Sequence, residues 1–278
     1  MVERTLNFTK MHGAGNDFIV IDLRDHEDLT PDFCQFLSDR HRGIGCDMIL
    51  GIGSKRSTGS VASFRIWTPE GKSSKQCGNG MRCVAAWLFK NGITSERRFI
   101  IDSPSGSHDV EVLKDSRVRV SLAIPEFSPN EIPLRDIINE RDFYELHTTG
   151  GLLVSLSAVS MGNPHAVIEV QDVDEAPVEY LGREVQRMDQ MPPTINVGFA
   201  QVLSRDHIRL RVFEFGAGET LACGSGACAA AAVLIRRGQT NRDITVSVPG
   251  GDLQIAWPSV HKPIMLTGPA AFVFEGRL

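Results

Sequence analysis

Two cysteines, Cys77 and Cys223, occupy the same short setting in the two halves of this 278-residue chain. Each precedes a Gly-x-Gly turn and an alanine-rich apolar run, and they lie 146 positions apart (223 − 77). A thiol at the N-terminus of a helix meets free backbone N–H groups and the positive end of the helix dipole, which lowers its pKa. Two such thiols, facing each other across a cleft, would remove a proton from one face of a carbon and return one to the other. The pair therefore predicts a racemase or epimerase that works without a cofactor.

An ordinary thiol is mostly protonated at neutral pH, so a base beside each cysteine would help to form the thiolate. His165 and Glu214 are the candidates, and Glu219 is a rival to Glu214 that spacing alone does not separate. The helix starts would also present backbone N–H groups to one substrate carboxylate. These groups belong to Gly78, Asn79, Gly224 and Ser225. The alternatives are plain helix caps and, for each cysteine alone, a small buried apolar side chain.

The two halves of the chain repeat more than the cysteines. Gly92 and Gly238 each lie 15 positions beyond their cysteine (92 − 77 and 238 − 223), where glycine is the expected end of a helix. Asn16 and Asn163 each follow a glycine near the start of their half. Self-similarity at this long period predicts two copies of one fold unit.

Strands and two kinds of helix should position these residues. Apolar patterns typical of strands occur at residues 18–22, 110–113, 117–122 and 208–213. Both cysteine-led helices are apolar on nearly every side, so strands should wrap them. Thr30 and Pro31 predict the cap and first residue of a surface helix that runs to Arg40. The remaining cysteines are interpreted as packing residues: Cys34, Cys46, Cys83 and Cys228.

The composition is that of an ordinary globular protein, with 42% hydrophobic and 23% charged residues and a net charge of -5. No basic block is evident, so nucleic acid is not an expected partner. No apolar stretch is long enough to span a bilayer, and the N-terminal residues lack a signal-peptide core, which predicts a cytoplasmic protein. The cysteine spacings do not provide the paired ligands of a structural zinc site.

Several motifs in order resemble those of the diaminopimelate epimerase family along essentially the full chain. The matching stretches are residues 8–18, 76–83, 161–165, 196–199 and 216–228. The resemblance implies an α/β (α+β) fold of two pseudo-symmetric domains, each a barrel-like mixed sheet wrapped round a central helix. The implied domains are residues 1–123 with 269–278, carrying Cys77, and residues 124–268, carrying Cys223. The resemblance further implies a small amino-acid substrate, a homodimer, and catalysis without pyridoxal phosphate or a metal.

Carried over by position, Cys77 and Cys223 are the acid/base thiols of the family. His165 and Glu214 tune them, which favours Glu214 over Glu219. The residues that hold the reacting carboxylate are Gly78, Asn79, Gly224 and Ser225, and the substrate-contacting asparagines are Asn16, Asn163 and Asn196.

Two departures from the family pattern concern the distal part of the substrate site. Thr68 stands where the family usually has asparagine, and Phe215 stands where it usually has arginine. The missing groups grip the distal amino-carboxylate of diaminopimelate, and phenylalanine cannot replace a bidentate arginine. Met48 stands where some members have glutamine, which also makes the pocket less charged.

These departures predict an amino-acid substrate without a distal carboxylate. Histidine is one such substrate, because relatives of the family racemise it and an imidazole would stack on Phe215. A diaminopimelate epimerase with a rearranged distal site is the alternative. Other classes are a non-catalytic amino-acid binder, a cysteine-based redox or metal protein, and a pyridoxal-phosphate racemase.

Facing thiols would also be sensitive to oxidation. We predict that turnover requires a reductant, because the two cysteines would otherwise join in a disulfide and lose their acid/base function. Measuring racemisation before and after treatment with oxidised glutathione, and again after dithiothreitol, checks this. Turnover that is indifferent to oxidant would rule out the facing arrangement.

Overall fold

The computed structural model describes residues 6–74 and 77–278, which form 17 strands and four helices. Gln76, which opens one sequence motif, and the first five residues lie outside the described residues. The chain divides into two compact units. The first comprises the described residues up to Ser121 together with Thr267–Leu278, and the second is Leu122–Leu266. Within the described part of the chain, no helix is long and apolar enough to cross a membrane.

Nine elements come first along the chain. The strands are β1 Asn7–Gly13, β2 Asn16–Asp22, β3 Met48–Gly53, β4 Ser60–Trp67, β5 Arg98–Ser103, β6 Gly106–Val112 and β7 Val118–Ser121. The helix α1 Pro31–Ser38 joins β2 to β3, and the helix α2 Gly78–Lys90 joins β4 to β5. The last strand of the chain, β17 Ala271–Arg277, completes this first unit by pairing with β1.

The second unit contains the next elements along the chain. Its strands are β8 Tyr144–His147, β9 Leu153–Ser160, β10 Pro164–Glu169, β11 Asn196–Ser204, β12 His207–Glu214, β13 Gly218–Thr220, β14 Asp243–Val248 and β15 Gly251–Ala256. The helix α3 Val178–Gln186 joins β10 to β11, and the helix α4 Gly224–Arg236 leads from β13 to β14. A short strand, β16 Met265–Gly268, carries the chain back towards β17.

The two units have the same sequence of strand pairings. In the first, β1–β2 and β3–β4 are antiparallel, β2–β3 and β4–β5 are parallel, and β5–β6 is antiparallel. In the second, β9–β10 and β11–β12 are antiparallel, β10–β11 and β12–β14 are parallel, and β14–β15 is antiparallel. The helices occupy matching connections. The repeat expected from the sequence is therefore a repeat of a mixed α+β fold unit.

Each sheet curves round one helix. In the first unit α2 contacts β1, β2 and β3 as well as β6 and β7, which lie far apart in the strand order. In the second unit α4 contacts β9 through β12 and also β14 and β15. Strands from distant parts of a sheet meet the same helix only if the sheet bends around it. This confirms the predicted barrel-like sheet with a central helix in each unit.

Burial on all sides follows from the composition of the two central helices. In α4 the run Ala227–Ile235 is buried, and its small side chains let the surrounding strands approach closely. In α2 one charged residue, Arg82, is fully buried among the apolar side chains. Its Nε donates a hydrogen bond to the carbonyl of Pro269 at 3.3 Å. Its Nη1 lies 3.5 Å from the carbonyl of Gly78, in the first turn of the helix.

The local helix signals of the sequence are confirmed. Thr30 caps α1 by accepting a hydrogen bond from the Phe33 N–H, and the helix ends at Ser38 instead of Arg40. Gly92 and Gly238 follow α2 and α4 with φ of 69° and 70°. This left-handed conformation favours glycine and ends both helices.

A close approach between α3 and β12 supplies a test of the packing behind Glu214. A Cβ on Gly182 would lie 2.6 Å from Cγ of the buried Phe213, the residue before Glu214. Alanine is a better helix former than glycine by about 1 kcal/mol, but overpacking costs roughly 1–3 kcal/mol. We expect Gly182→Ala to lower the free energy of unfolding by roughly 1–2 kcal/mol.

Urea denaturation measures this change. Gly150→Ala is the matched control, because the nearest atoms to its added Cβ lie 3.8 Å away. A Gly182→Ala protein as stable as wild type would contradict the close contact with Phe213.

Candidate active site

Cys77 lies where β4 and its following loop give way to α2. It is the N-cap residue of α2, and its Sγ accepts a hydrogen bond from the Gly80 N–H at 3.3 Å. Gly78 and Asn79 are the first two residues of the helix, so their N–H groups point out of its N-terminal end. The predicted placement of this thiol at a helix start is confirmed.

Asn16 approaches Cys77 from the start of β2. Its Oδ1 lies 3.9 Å from Cys77 Sγ and accepts a hydrogen bond from Asn79 Nδ2 at 3.2 Å. Its own Nδ2 donates to Asp47 Oδ2 at 2.8 Å, which fixes the orientation of the amide. The structure therefore brings together Cys77, Asn16 and Asn79 within the first unit.

A network of charges holds Asn16 in place. Arg40 donates to both Asp17 and Asp47, at 2.8 and 2.7 Å, and Lys10 lies 2.5 Å from Asp17. Burial opposes ionisation of Asp17, but the hydrogen bonds from Arg40 and Lys10 outweigh it and hold its pKa well below the usual value. These charged side chains were not among the residues singled out in the sequence, because their ion pairs join two stretches, residues 10–17 and 40–47, that are separated along the chain.

Cys223 is the N-cap residue of α4 and is buried. Its Sγ donates a hydrogen bond to Oε2 of Glu214 at 3.1 Å, and the other carboxylate oxygen, Oε1, accepts from Thr220 Oγ1 at 2.5 Å. A thiol, a carboxylate and a hydroxyl thus form a short chain of hydrogen bonds. This is the geometry of a nucleophile or acid/base thiol with an adjacent base.

The alternation of side chains along the strands places Glu214 and Glu219 on opposite faces of the sheet. In the pairing of β12 with β13, Phe213 lies opposite Glu219 and Glu214 lies opposite Gly218. Successive side chains point to opposite faces, so Glu219 is on the face away from Cys223. There it forms a bidentate ion pair with Arg211, at 2.6 and 2.9 Å. The expectation that Glu214, and not Glu219, stands beside the thiol agrees with these contacts.

His165 adjoins the same thiol from β10. Its Nε2 lies 3.1 Å from Ser225 Oγ and 3.2 Å from Asn163 Oδ1, and Ser225 Oγ lies 3.7 Å from Cys223 Sγ. Burial lowers the pKa of His165 to about 3, so the imidazole is neutral over the physiological range. His165 therefore acts here as a neutral hydrogen-bonding group next to the second thiol.

The electrostatic environment of Cys223 is opposite to the expected one. Its position at a helix N-terminus predicted a lowered pKa. Burial, and then the negative charge and hydrogen bond of Glu214, instead raise the pKa of Cys223 well above its usual value. The prediction was wrong for this thiol because the helix dipole acts on a group that has lost its water and lies beside a carboxylate. The protonated form of Cys223 is therefore favoured at neutral pH.

Strand register shows that the two thiols have different neighbours. Trp67 pairs with Ser73, and Phe213 pairs with Glu219, with the same separation of 146 positions (213 − 67 and 219 − 73). Thr68 in the first unit therefore occupies the position of Glu214 in the second. Its Oγ1 donates to Glu70 Oε2 at 2.7 Å.

The residues assigned to the distal part of the substrate site lie beside these positions. Met48 precedes Ile49, which pairs with Trp67 next to Thr68. Phe215 follows Glu214, its ring side chain is 53% exposed, and its N–H donates to Asn196 Oδ1 at 3.0 Å. An aromatic side chain this exposed at the end of a strand is available to contact a ligand.

Sequence reasoning missed Thr220 and Asp47, which contact Glu214 and Asn16. Strand alternation could have indicated Thr220. Adjacent residues in a strand point to opposite faces, so if Glu219 faces away from Cys223, Thr220 faces towards it. Asp47 had no comparable local signal.

The fold is shared with a solved structure of low sequence identity. A probable proline racemase from Agrobacterium radiobacter superposes with a TM-score of 0.72 at 15% identity, covering 98% of this chain and 92% of that one. At this identity the likeness defines the fold.

Sequence comparison then defines the family. The diaminopimelate epimerase family model matches residues 8–127 and 157–273. O-ureido-serine racemase of Streptomyces lavendulae is 58% identical over 272 residues, covering 98% of this chain and 95% of the relative. Diaminopimelate epimerase of Xanthomonas axonopodis pv. citri is 55% identical over 274 residues, covering 98% and 96%. The chain belongs to the diaminopimelate epimerase family and is an isomerase of the racemase and epimerase type.

The thiol–carboxylate contact predicts how Cys223 responds to the loss of its neighbour. In Glu214→Gln the neutral amide no longer repels the thiolate, so the pKa of Cys223 falls. Ultraviolet thiolate absorbance, taken as the difference between each protein and its Cys223→Ala version, measures this pKa. Glu219→Gln is the control and leaves it unchanged. An unchanged Cys223 titration in Glu214→Gln would show that the carboxylate does not act on the thiol.

Proposed function

We propose that Cys77 and Cys223 invert the α-carbon of one amino acid by a two-thiol acid/base reaction. The thiolate of one cysteine takes the α-proton, leaving a carbanion, and the thiol of the other donates its proton to the opposite face. One C–H bond breaks, one forms, and the two sulfurs exchange their protonation states. The family and the matching N-cap positions of the two residues support this assignment.

The observation that carries the proposal is the hydrogen bond from Cys223 to Glu214 at 3.1 Å. A buried thiol with a raised pKa is a poor base until its proton moves. Transfer of that proton to Glu214 Oε2 gives a thiolate beside a neutral carboxyl group. In the reverse reaction Glu214 returns the proton, so the same pair serves as acid for the other enantiomer.

The helix starts supply the site for the substrate carboxylate in this proposal. Gly78 and Asn79 begin α2, and Gly224 and Ser225 begin α4, so each helix end directs its first backbone N–H groups and the positive end of its dipole outwards. Carbanion character next to a carboxylate places negative charge on its oxygens. Donors aimed at those oxygens therefore stabilise the transition state more than the bound amino acid.

We further propose that the substrate is an amino acid whose side chain carries no carboxylate. Phe215 replaces the arginine of the family pattern, and the hydroxyl of Thr68 is already donated to Glu70. A distal carboxylate would thus lose two donors, and an unpaired charge is costly to desolvate. The 58% identical relative is named for O-ureido-serine, whose distal group is a neutral urea. O-ureidoserine and histidine are the two amino acids that we put forward as substrates.

Diaminopimelate is the second candidate substrate. It is favoured by the 55% identity to diaminopimelate epimerase of Xanthomonas axonopodis pv. citri over nearly the whole chain. A homodimer is also proposed, on the resemblance to the family, and a cytoplasmic location stays a prediction of the sequence.

Exchange of the α-proton with solvent deuterium distinguishes the candidates. The reaction is measured by NMR with O-ureidoserine, histidine and diaminopimelate as separate substrates, and with Cys77→Ala as the inactive control. The proposal expects exchange with a substrate that lacks the second carboxylate. Exchange with diaminopimelate alone would overturn the substrate assignment, and exchange with none would overturn the racemase proposal.

The variant Phe215→Arg tests the distal pocket directly. It restores a bidentate donor for a carboxylate and removes the apolar ring, so we expect kcat/KM for diaminopimelate to rise roughly tenfold relative to that for the neutral substrate. Phe215→Leu is the control that removes the ring without adding charge. A Phe215→Arg protein with an unchanged preference would show that Phe215 does not face the distal group.

A further inference from the structure

Thr220 is a residue to which the reaction described so far gives no part. It lies in β13, three positions before Cys223, and its Oγ1 donates to Glu214 Oε1 at 2.5 Å. Glu214 Oε2 accepts from Cys223. The two oxygens of one carboxylate are thus divided between a fixed hydroxyl and the thiol.

The backbone of β12 and β13, with the chain that follows to Cys223, fixes the positions from which Thr220 and Cys223 reach the Glu214 carboxylate. Gly218 lies opposite Glu214 in the hairpin, so Thr220 is the diagonal neighbour of Glu214 on the same face. The chain between Thr220 and Cys223 is fixed by a backbone hydrogen bond from the Gly250 N–H to the Leu221 carbonyl at 2.8 Å. One short segment therefore carries both donors to the same carboxylate.

We propose that Thr220 is a positioning residue that holds Glu214 ionised and turns Oε2 towards the Cys223 thiol. This rests on the proposed function, in which Glu214 accepts the thiol proton. A short hydrogen bond from a hydroxyl stabilises a carboxylate more than a carboxylic acid. It also restrains the side-chain torsions of Glu214. The proton of Cys223 therefore moves to Oε2, while Oε1 stays bound to Thr220.

Other charged groups near β12 do not take this role. On the inner face, the described contacts of Glu214 lead to Cys223 and, through Cys223 and Ser225, to the neutral His165. On the outer face, Glu219 is paired with Arg211. The guanidinium of Arg183, from α3, lies over the Phe213 ring. Of the contacts described for Glu214, Thr220 supplies the hydroxyl donor.

The matching positions of the first unit, among the residues that the structure describes, form other contacts. Ser74 matches Thr220 by the separation of 146 positions (220 − 74), and Thr68 matches Glu214. The hydroxyl of Thr68 bonds to Glu70, and the Ser74 N–H bonds to the Ile66 carbonyl. In the described part of the chain, the hydroxyl–carboxylate–thiol arrangement is thus seen at Cys223 in the second unit.

Thr220→Val tests the proposal with a side chain of nearly the same shape. We expect Glu214 to titrate at a pH higher by about one unit in this variant, because the carboxylate loses its charge-assisted donor. NMR of isotope-labelled glutamate side chains measures this titration without a substrate, with Glu214→Gln used to assign the signal. Thr220→Ser keeps the hydroxyl and should titrate like wild type.

The same shift should move the rate of racemisation. Below its titration point Glu214 carries a proton and cannot accept another. The acid limb of the pH profile of kcat therefore moves to higher pH in Thr220→Val. At a pH on that limb the rate falls about tenfold, while KM stays unchanged because Thr220 does not hold the substrate.

The outcomes separate this inference from the proposed function. An identical Glu214 titration in wild type and Thr220→Val overturns the role of Thr220, as does a Thr220→Ser protein that shifts as far as the valine variant. A shifted titration in a protein that racemises none of the substrates supports the role of Thr220 and overturns the proposed function.

Discussion

The constraint on which the molecule depends is the enclosure of one helix by one sheet in each unit. A helix that is apolar on every side has no face to offer to water, so its direction and depth are set by the strands around it. In α4 the enclosed side chains are mostly alanine, which leaves little freedom to slide or tilt. The N-terminal end of such a helix is consequently one of the best-defined points in the fold. Cys77 and Cys223 both cap that end. Reactive groups are thereby positioned by burial of apolar surface, and polar contacts are left to adjust their chemistry.

The same frame carries two different polar environments. Beside Cys223 there is a carboxylate, Glu214, and burial with this charge raises the pKa of the thiol. Beside Cys77 there is the amide of Asn16, which is oriented by Asp47. The two units share the same strand pairings, but the side chains beside their thiols differ. The proposed reaction would therefore use two thiols with different polar neighbours, a carboxylate that accepts the proton of Cys223 and a neutral amide beside Cys77.

Much of the frame could be read from the sequence because its signals are local. Residues next to a helix in the chain indicate where it begins or ends. Thr30 does so before α1, and Gly238 does so after α4. Repetition at a fixed separation indicated the duplicated unit. The pKa of Cys223 could not be read in this way, since it depends on how completely the thiol is covered and on the distance to Glu214. The hydrogen bond from Asn16 to Asp47 could not be predicted either, because the two residues are 31 positions apart. Long-range burial and pairing are properties of the folded chain, and no short window of sequence contains them.

The pairing of β17 with β1 has a consequence for how the protein is made. The second unit is one continuous stretch, Leu122–Leu266, whereas the first needs residues from both sides of it. During synthesis the ribosome releases all of the second unit before β17 emerges. The earlier strands of the first unit must wait with β1 still missing a neighbour, and an open strand edge is a template for unwanted association. Residues Ala271–Arg277 therefore act as a closing strand, and the unit that carries Cys77 is finished last although most of it is translated first.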